Sequence, residues 1–99
     1  MQIKFSKIQV PNPEQFIRRC GYGKLLDRRT GQTSYARRLT RVGFYPRFHA
    51  YIVENANEVI INLHLDQKAP RYEGVTAHSG EYDGMVVENE AKRIEGIRY

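Results

Sequence analysis

The segment from residue 59 to residue 66 constrains the fold most tightly, because its side chains alternate between two chemical classes. One set is aliphatic and the other is mixed: Val59, Ile61, Leu63 and Leu65 alternate with Ile60, Asn62, His64 and Asp66. Successive side chains of a β-strand point to opposite faces, so the pattern predicts a strand with the aliphatic set in the core. Residues 48–53 form a second candidate strand, and residues 54–58 between them have the composition of a turn. The two segments together predict an antiparallel hairpin.

A short strand and a short helix are predicted ahead of this hairpin. Residues 3–8 place apolar side chains in loose alternation with lysines, which is typical of an opening strand. Asn12 can then cap free backbone N–H groups of a helix whose first position suits Pro13. Glycine ends helices readily, so we expect this helix to end at Gly21 or Gly23.

The rest of the chain predicts a further hairpin, a loop and a second helix. Residues 24–42 have an extended pattern around turn-forming residues at 27–32. Residues 67–80 are expected to form a loop, followed by a helix that Ser79 or Asp83 could cap. The apolar face of that helix is set by three residues at helical spacing, namely Val87, Ala91 and Ile94. These elements predict one α+β domain over residues 1–99, with an antiparallel sheet of about four to five strands in two hairpins, a short N-terminal helix and a C-terminal helix packed on one face.

The composition is that of a folded domain. The chain has 99 residues, of which 40% are hydrophobic and 27% charged, values close to ordinary globular usage. No apolar run approaches the roughly 20 residues of a membrane-spanning helix, and the first ten residues lack the apolar stretch of a signal peptide. We therefore expect a cytoplasmic location and no membrane partner. Cys20 is the one cysteine and is expected to be a small buried residue beside a helix.

Charge is distributed unequally along the chain. Residues 1–50 hold eleven Lys and Arg against two acidic residues, whereas residues 51–99 hold five basic against nine acidic residues. Such asymmetry is an indicator of nucleic-acid or anionic-surface binding. Many of the basic residues fall close together and alternate with aromatic residues, and guanidinium groups with aromatic rings suit phosphates and unpaired bases. The predicted nucleic-acid-binding residues are Arg28, Arg29, Tyr35, Arg37, Arg38, Arg41, Tyr45 and Arg47.

The preferred interpretation is a non-catalytic domain that binds RNA or single-stranded DNA. The sequence contains no motif of a known nucleic-acid-binding module and no phosphate-binding glycine loop, and no cofactor is predicted. The alternative in a different class is a protein-interaction module, including a homodimer in which the basic half of one chain meets the acidic helix of another.

A third interpretation concerns His49, His64 and Asp66. His64 and Asp66 are two apart on a predicted strand and so share a face, and a turn pairing Asn55 with Glu58 would place His49 opposite His64. Two imidazoles and a carboxylate could bind a divalent metal or act as acid and base in phosphodiester hydrolysis. A histidine on a sheet is also commonly a hydrogen-bonded structural residue. These three are the candidate catalytic residues of the enzyme alternative, and no metal is assigned to them.

Overall fold

A computed structural model describes residues 1–67 and 79–97, with the backbone alone described for residues 79–83. Along the chain the elements are β1 (Gln2–Ser6), α1 (Pro13–Arg19), β2 (Gly23–Leu26), β3 (Thr33–Arg38), β4 (Arg47–Glu54), β5 (Glu58–Asp66) and α2 (Ser79–Glu95). The five strands form one antiparallel sheet in the order β1-β5-β4-β3-β2. The predicted α+β class, its two hairpins and its two helices are confirmed.

One face of the sheet carries the hydrophobic core. Register aligns Ile61 of β5 with Ile3 on one side and Ile52 on the other, and aligns Leu63 with Ala50. The aliphatic set predicted for β5 therefore faces the core, where Ile61 and Leu63 are almost fully inaccessible. Both helices pack on this face through five buried residues, Phe16, Ile17, Val87, Ala91 and Ile94.

Helix α1 is bounded by local signals at both ends. The Asn12 side chain accepts a hydrogen bond from the Gln15 N–H at 3.1 Å, and proline occupies the first turn. At the other end Gly21 adopts a φ of 100°, in the left-handed region that glycine enters without steric cost. The Gly21 N–H donates to Arg18 O and the Tyr22 N–H to Ile17 O, which is the pattern of a Schellman motif. The predicted cap and the predicted stop at Gly21 are confirmed.

Two predicted boundaries are wrong. Helix α2 begins at Ser79, so Asp83 lies inside it and the helix takes up the last two residues of the expected 67–80 loop. Residues 68–78 of that loop lie outside the described residues. Strand β3 ends at Arg38 rather than continuing to residue 42, because the chain turns away through Gly43 at a φ of 83° and closes with the Leu39 N–H donating to Pro46 O.

A buried carboxylate connects α2 to the sheet and to the end of α1. Glu90 accepts a hydrogen bond from the Tyr22 hydroxyl at 2.6 Å and two from the guanidinium of Arg93 at 2.8 and 2.9 Å. Arg93 also donates to Cys20 O, and Arg37 of β3 lies 3.5 Å from Glu90. Helix α2, the end of α1, the segment that follows it and strand β3 therefore meet at one polar network beneath the helix.

None of the helices in the described part of the chain has the length and hydrophobicity that crossing a bilayer requires.

Candidate functional site

The sheet has a second face, which we call the open face. Its side chains belong to strand positions that alternate with the core residues, and no helix in residues 1–67 or 79–97 packs on it. This face carries hydrogen-bonding and aromatic groups on three adjacent strands. Its central members are Ser34 and Arg38 of β3, Arg47, His49 and Tyr51 of β4, and Asn62, His64 and Asp66 of β5.

The three candidate catalytic residues lie together on the open face. His49 is the register partner of His64, as the turn at Asn55 predicts, and Asp66 pairs with Arg47 on the neighbouring position. The Asn55 N–H donates to Glu58 O, which is the pairing that sets this register. His49 Nδ1 is 2.9 Å from Asp66 Oδ2. His49 and Asp66 therefore form a direct hydrogen bond, while His64 is exposed at the surface.

Ser34 is a fourth member of this group and is not among the sequence candidates. Its hydroxyl lies 2.7 Å from His49 Nε2, and the residue is 7% exposed. The chain of contacts runs diagonally across three neighbouring strands, from Asp66 on β5 through His49 on β4 to Ser34 on β3. We call this the Asp66–His49–Ser34 relay. The available sequence signal was the two-residue alternation of β3, which places Ser34 on the same face as Arg38.

The protonation state of the relay follows from its surroundings. Burial lowers the pKa of His49 below its ordinary value of 6.5, the Asp66 carboxylate opposes this shift, and the Arg47 charge reinforces it. His49 is therefore neutral at pH 7. An ionised carboxylate only accepts hydrogen bonds, so the single imidazole proton sits on Nδ1 and is donated to Asp66. Nε2 is left to accept the hydroxyl proton of Ser34.

The described residues do not provide the set of ligands that the metal-binding interpretation needs. Among them no group of three or more His, Cys, Asp or Glu side chains could hold a metal ion. The Tyr51 ring contacts both histidine rings, with centroid distances of 4.8 Å to His49 and 5.9 Å to His64. Both nitrogens of His49 already make hydrogen bonds, so a cation would have to displace Asp66 or Ser34.

Two of the predicted arginines meet on the open face at the end of the sheet near the β3–β4 loop (residues 39–46). Arg38 and Arg47 are cross-strand partners. The Arg47 guanidinium lies 4.7 Å from the centroid of the Tyr45 ring and 3.4 Å from Asp66. Arg38 donates to the carbonyl of Gly43 at 3.2 Å, which holds its side chain over the same loop.

The β3–β4 loop exposes both charged and apolar side chains. Arg41 is exposed, and Tyr45 is accessible enough to offer a ring face to a ligand. Val42 is 85% exposed and Phe44 69% exposed. Arg38, Arg41, Tyr45 and Arg47 are therefore the predicted binding residues that the fold brings into one region.

The other four predicted binding residues lie elsewhere. Arg28 and Arg29 belong to the β2–β3 turn, at the opposite end of β3 from the β3–β4 loop. Arg37 points to the helix-covered face and pairs with Glu90. Tyr35 is buried in the core, with its hydroxyl donating to Glu14 at 3.3 Å.

A shallow cleft of about 310 Å³ lies beside the relay on the open face. It is bounded by aliphatic side chains of β2, by polar groups of the β2–β3 turn and by β4. The lining residues are Leu25, Leu26, Asp27, Gln32, Ser34, Arg47, His49 and Tyr51. Cys20 is on the other face, where burial raises the pKa of its thiol to about 11, so it stays protonated at neutral pH.

Comparison of the chain with protein-family models, with curated proteins and with solved structures found no match.

Proposed function

We propose that this domain binds single-stranded nucleic acid, either RNA or single-stranded DNA, through the open face and the β3–β4 loop. The observation that carries the proposal is the pairing of Arg38 with Arg47 on a sheet face that no described helix covers, next to the ring of Tyr45. The Tyr51 ring lies farther along β4 on the same face, in contact with His49. A single strand of nucleic acid is bound by positive charge that contacts its phosphates and by aromatic rings that stack on its bases.

The two kinds of side chain would have different tasks. Guanidinium groups bind phosphate oxygens with charge-assisted, often bidentate hydrogen bonds. Arg38 and Arg41 are exposed and would track the backbone of the strand. Aromatic rings stack on bases with little regard to sequence, and Tyr45 and Phe44 are exposed beside those arginines. The expected complex therefore has broad sequence tolerance.

The exposed charge at this end of the sheet would add to the attraction. Arg38 and Arg41 are exposed, and Arg47 is the cross-strand partner of Arg38. Clustered charge of one sign raises the association rate of an oppositely charged ligand.

The shape of the face favours a single strand over a duplex. Reading a duplex commonly requires an element that enters the major groove, such as a helix or a two-stranded ribbon. The open face presents side chains of a sheet, on which unpaired bases can lie flat. We expect duplex DNA to bind more weakly than a single strand of the same length.

Fluorescence anisotropy with labelled oligonucleotides of about 12 nucleotides tests the proposal, since single-strand sites commonly span about 4 to 16 nucleotides. The double variant Arg38→Gln and Arg41→Gln should weaken binding by about tenfold at moderate salt and reduce the salt dependence of the affinity, because each lost phosphate contact releases one counterion fewer. Lys92→Gln on α2 removes one exposed charge from the opposite side and should leave the affinity nearly unchanged.

Two results would contradict the proposal. One is the absence of any binding at low salt. The other is that Lys92→Gln weakens binding as much per charge as the Arg38 and Arg41 substitutions do. That result would show that the affinity depends only on the net charge of the chain and not on where the charges lie.

The protein-interaction alternative is favoured by one observation, the exposure of Val42 and Phe44 on the β3–β4 loop. Adjacent exposed apolar residues are a common feature of protein contact sites. Light scattering over a range of concentrations distinguishes the two interpretations: a dimer that Phe44→Ser dissociates would support the interaction module, and a monomer at all concentrations would exclude its homodimer form.

A further inference from the structure

We infer that the Asp66–His49–Ser34 relay is an acyl-transfer site, in which Ser34 is the nucleophile, His49 its general base and Asp66 the residue that orients His49. The substrate class is a small ester whose acyl group fits the neighbouring cleft. This activity is separate from nucleic-acid binding and does not depend on it.

The geometry has the connectivity that serine nucleophiles require. A serine hydroxyl is a weak nucleophile until a base within hydrogen-bond reach takes its proton, and a third group must fix the orientation of that base. Here the Ser34 Oγ to His49 Nε2 distance is 2.7 Å and the His49 Nδ1 to Asp66 Oδ2 distance is 2.9 Å. The two bonds use the two different ring nitrogens, as a relay of this kind must.

Rigid elements hold the three groups. His49 lies on β4 with a paired strand on both sides. Ser34 lies on β3 opposite Leu25 of β2, and Asp66 is the last residue of β5, opposite Arg47 of β4. Arg47 donates a hydrogen bond to the same Asp66 oxygen that contacts His49, which helps to hold the carboxylate in place. Groups placed on packed strands keep their mutual geometry better than groups on loops.

Space for a substrate exists next to the nucleophile. The cleft of about 310 Å³ has Ser34 in its wall and is at the lower end of the size of small-molecule sites. Leu25 and Tyr51 give it an apolar side that suits a short acyl chain. Gln32 and Arg47 line the same cleft and carry the N–H groups that could stabilise the oxyanion formed on attack.

The reaction balances within these groups and one water molecule. Ser34 Oγ forms a bond to the ester carbonyl carbon while its proton moves to His49 Nε2, and that proton then passes to the departing alcohol as the carbon–oxygen bond breaks. Water next attacks the acyl-serine, giving one proton to His49 and releasing the carboxylic acid as Ser34 recovers its hydrogen. No oxidant, reductant or cofactor takes part.

Covalent labelling with a fluorophosphonate and hydrolysis of p-nitrophenyl acetate test the inference together. In the labelling reaction Ser34 Oγ displaces fluoride from phosphorus, and mass spectrometry of peptides locates the adduct. We expect one adduct per chain, on Ser34, and a burst of one equivalent of p-nitrophenolate. Ser34→Ala should abolish both signals, and His49→Gln should slow labelling by about 100-fold, within the range that general-base catalysis supplies.

The matched control is Ser6→Ala, which removes another serine, one that accepts a hydrogen bond from the Gln9 N–H near the end of β1. It should leave both signals intact. A hydrogen bond with a purely structural role would not give a pH-dependent label, so the labelling rate of the wild type is measured against pH. The rate should fall on acidification with a midpoint below the ordinary histidine pKa of 6.5, because only neutral His49 accepts the proton.

Failure of either reaction overturns the inference. Three results would each show that the relay only stabilises the sheet. The first is an adduct on a residue other than Ser34, and the second is no adduct on a chain that circular dichroism shows to be folded. The third is a Ser34 adduct without turnover of p-nitrophenyl acetate.

Discussion

Glu90 is a carboxylate in the core, and its neighbours determine its charge. Burial acts to raise the pKa of Glu90, but hydrogen bonds from Arg93 and Tyr22 and the charges of Arg93 and Arg37 outweigh it, and the net shift is downward from 4.5. The carboxylate is therefore ionised at neutral pH although its side chain is only 4% exposed. A buried charge of this kind is stable because it is paired and fully hydrogen-bonded.

The substitution Glu90→Gln should destabilise the fold at neutral pH. It leaves the guanidinium groups of Arg93 and Arg37 without their anion beneath α2. Breaking a buried pair costs about 3 to 5 kcal/mol, and we expect about 2 kcal/mol here because both arginines are partly exposed to solvent. Urea unfolding at pH 7 measures the difference in free energy of unfolding.

The pH dependence of that difference is a second readout of the same variant. A carboxyl whose folded-state pKa is lowered contributes stability above its unfolded pKa and loses it as pH falls through the folded pKa. The gap between wild type and Glu90→Gln should therefore be full above about pH 5 and shrink as the pH falls below 4.5. A gap that stays constant down to pH 3 would show that Glu90 acts through packing rather than through charge.

At the level of single residues, sequence reasoning reached His49 but not Ser34. The hairpin turn at Asn55 is short, so it fixes which residue of β4 faces which residue of β5, and the pairing of His49 with His64 followed from it. Strands β3 and β4 are joined by the longer 39–46 loop, whose length does not determine a register. The contact between Ser34 and His49 therefore became apparent only in three dimensions.

At the level of elements, the helices differ in how much their own sequence specifies them. Helix α1 has its cap, its proline and its glycine stop within ten residues, and its extent was predictable. Helix α2 was predictable on its apolar face, where Val87, Ala91 and Ile94 are buried, but not at its start. Its first turn includes Gly80 and it contains Gly84, and glycine is a poor helix former that suggests a loop.

Alanine substitutions at two glycines should change the free energy of unfolding in opposite directions. Gly84 lies exposed in α2 and a Cβ added there would meet nothing, so Gly84→Ala should raise the free energy of unfolding by about 1 kcal/mol. Gly31 of the β2–β3 turn also has open space, but its φ is 76°. Gly31→Ala should therefore lower stability by about 1 kcal/mol, through backbone strain alone.

Thermal unfolding of the two glycine variants beside the wild type checks this pair of predictions. Because neither site offers a contact to the new methyl group, equal shifts in the same direction would contradict the assigned backbone conformations.

At the level of the whole molecule, only some of the basic residues of the first half of the sequence reach the open face of the sheet and its β3–β4 loop. Two groups of arginines are close in sequence, one at residues 28 and 29 and the other at residues 38, 41 and 47. Strand β3 separates them, because the β2–β3 turn and the β3–β4 loop lie at its opposite ends. Arg37 alternates to the covered face and neutralises Glu90. Composition predicted a basic protein, whereas strand alternation decided which charges can reach a ligand.

The open face and the β3–β4 loop are the central elements of the proposed function, and methyl NMR distinguishes them from the covered face. Leu39 and Val42 are exposed in the β3–β4 loop, whereas Leu65 and Ile52 pack against the core on the face that the helices cover. Adding an unlabelled RNA of about 12 nucleotides should move the methyl resonances of Leu39 and Val42 in proportion to saturation, and leave those of Leu65 and Ile52 in place. Movement confined to methyl groups of the covered face or of α2, or no movement at RNA concentrations that saturate the anisotropy signal, would contradict the account.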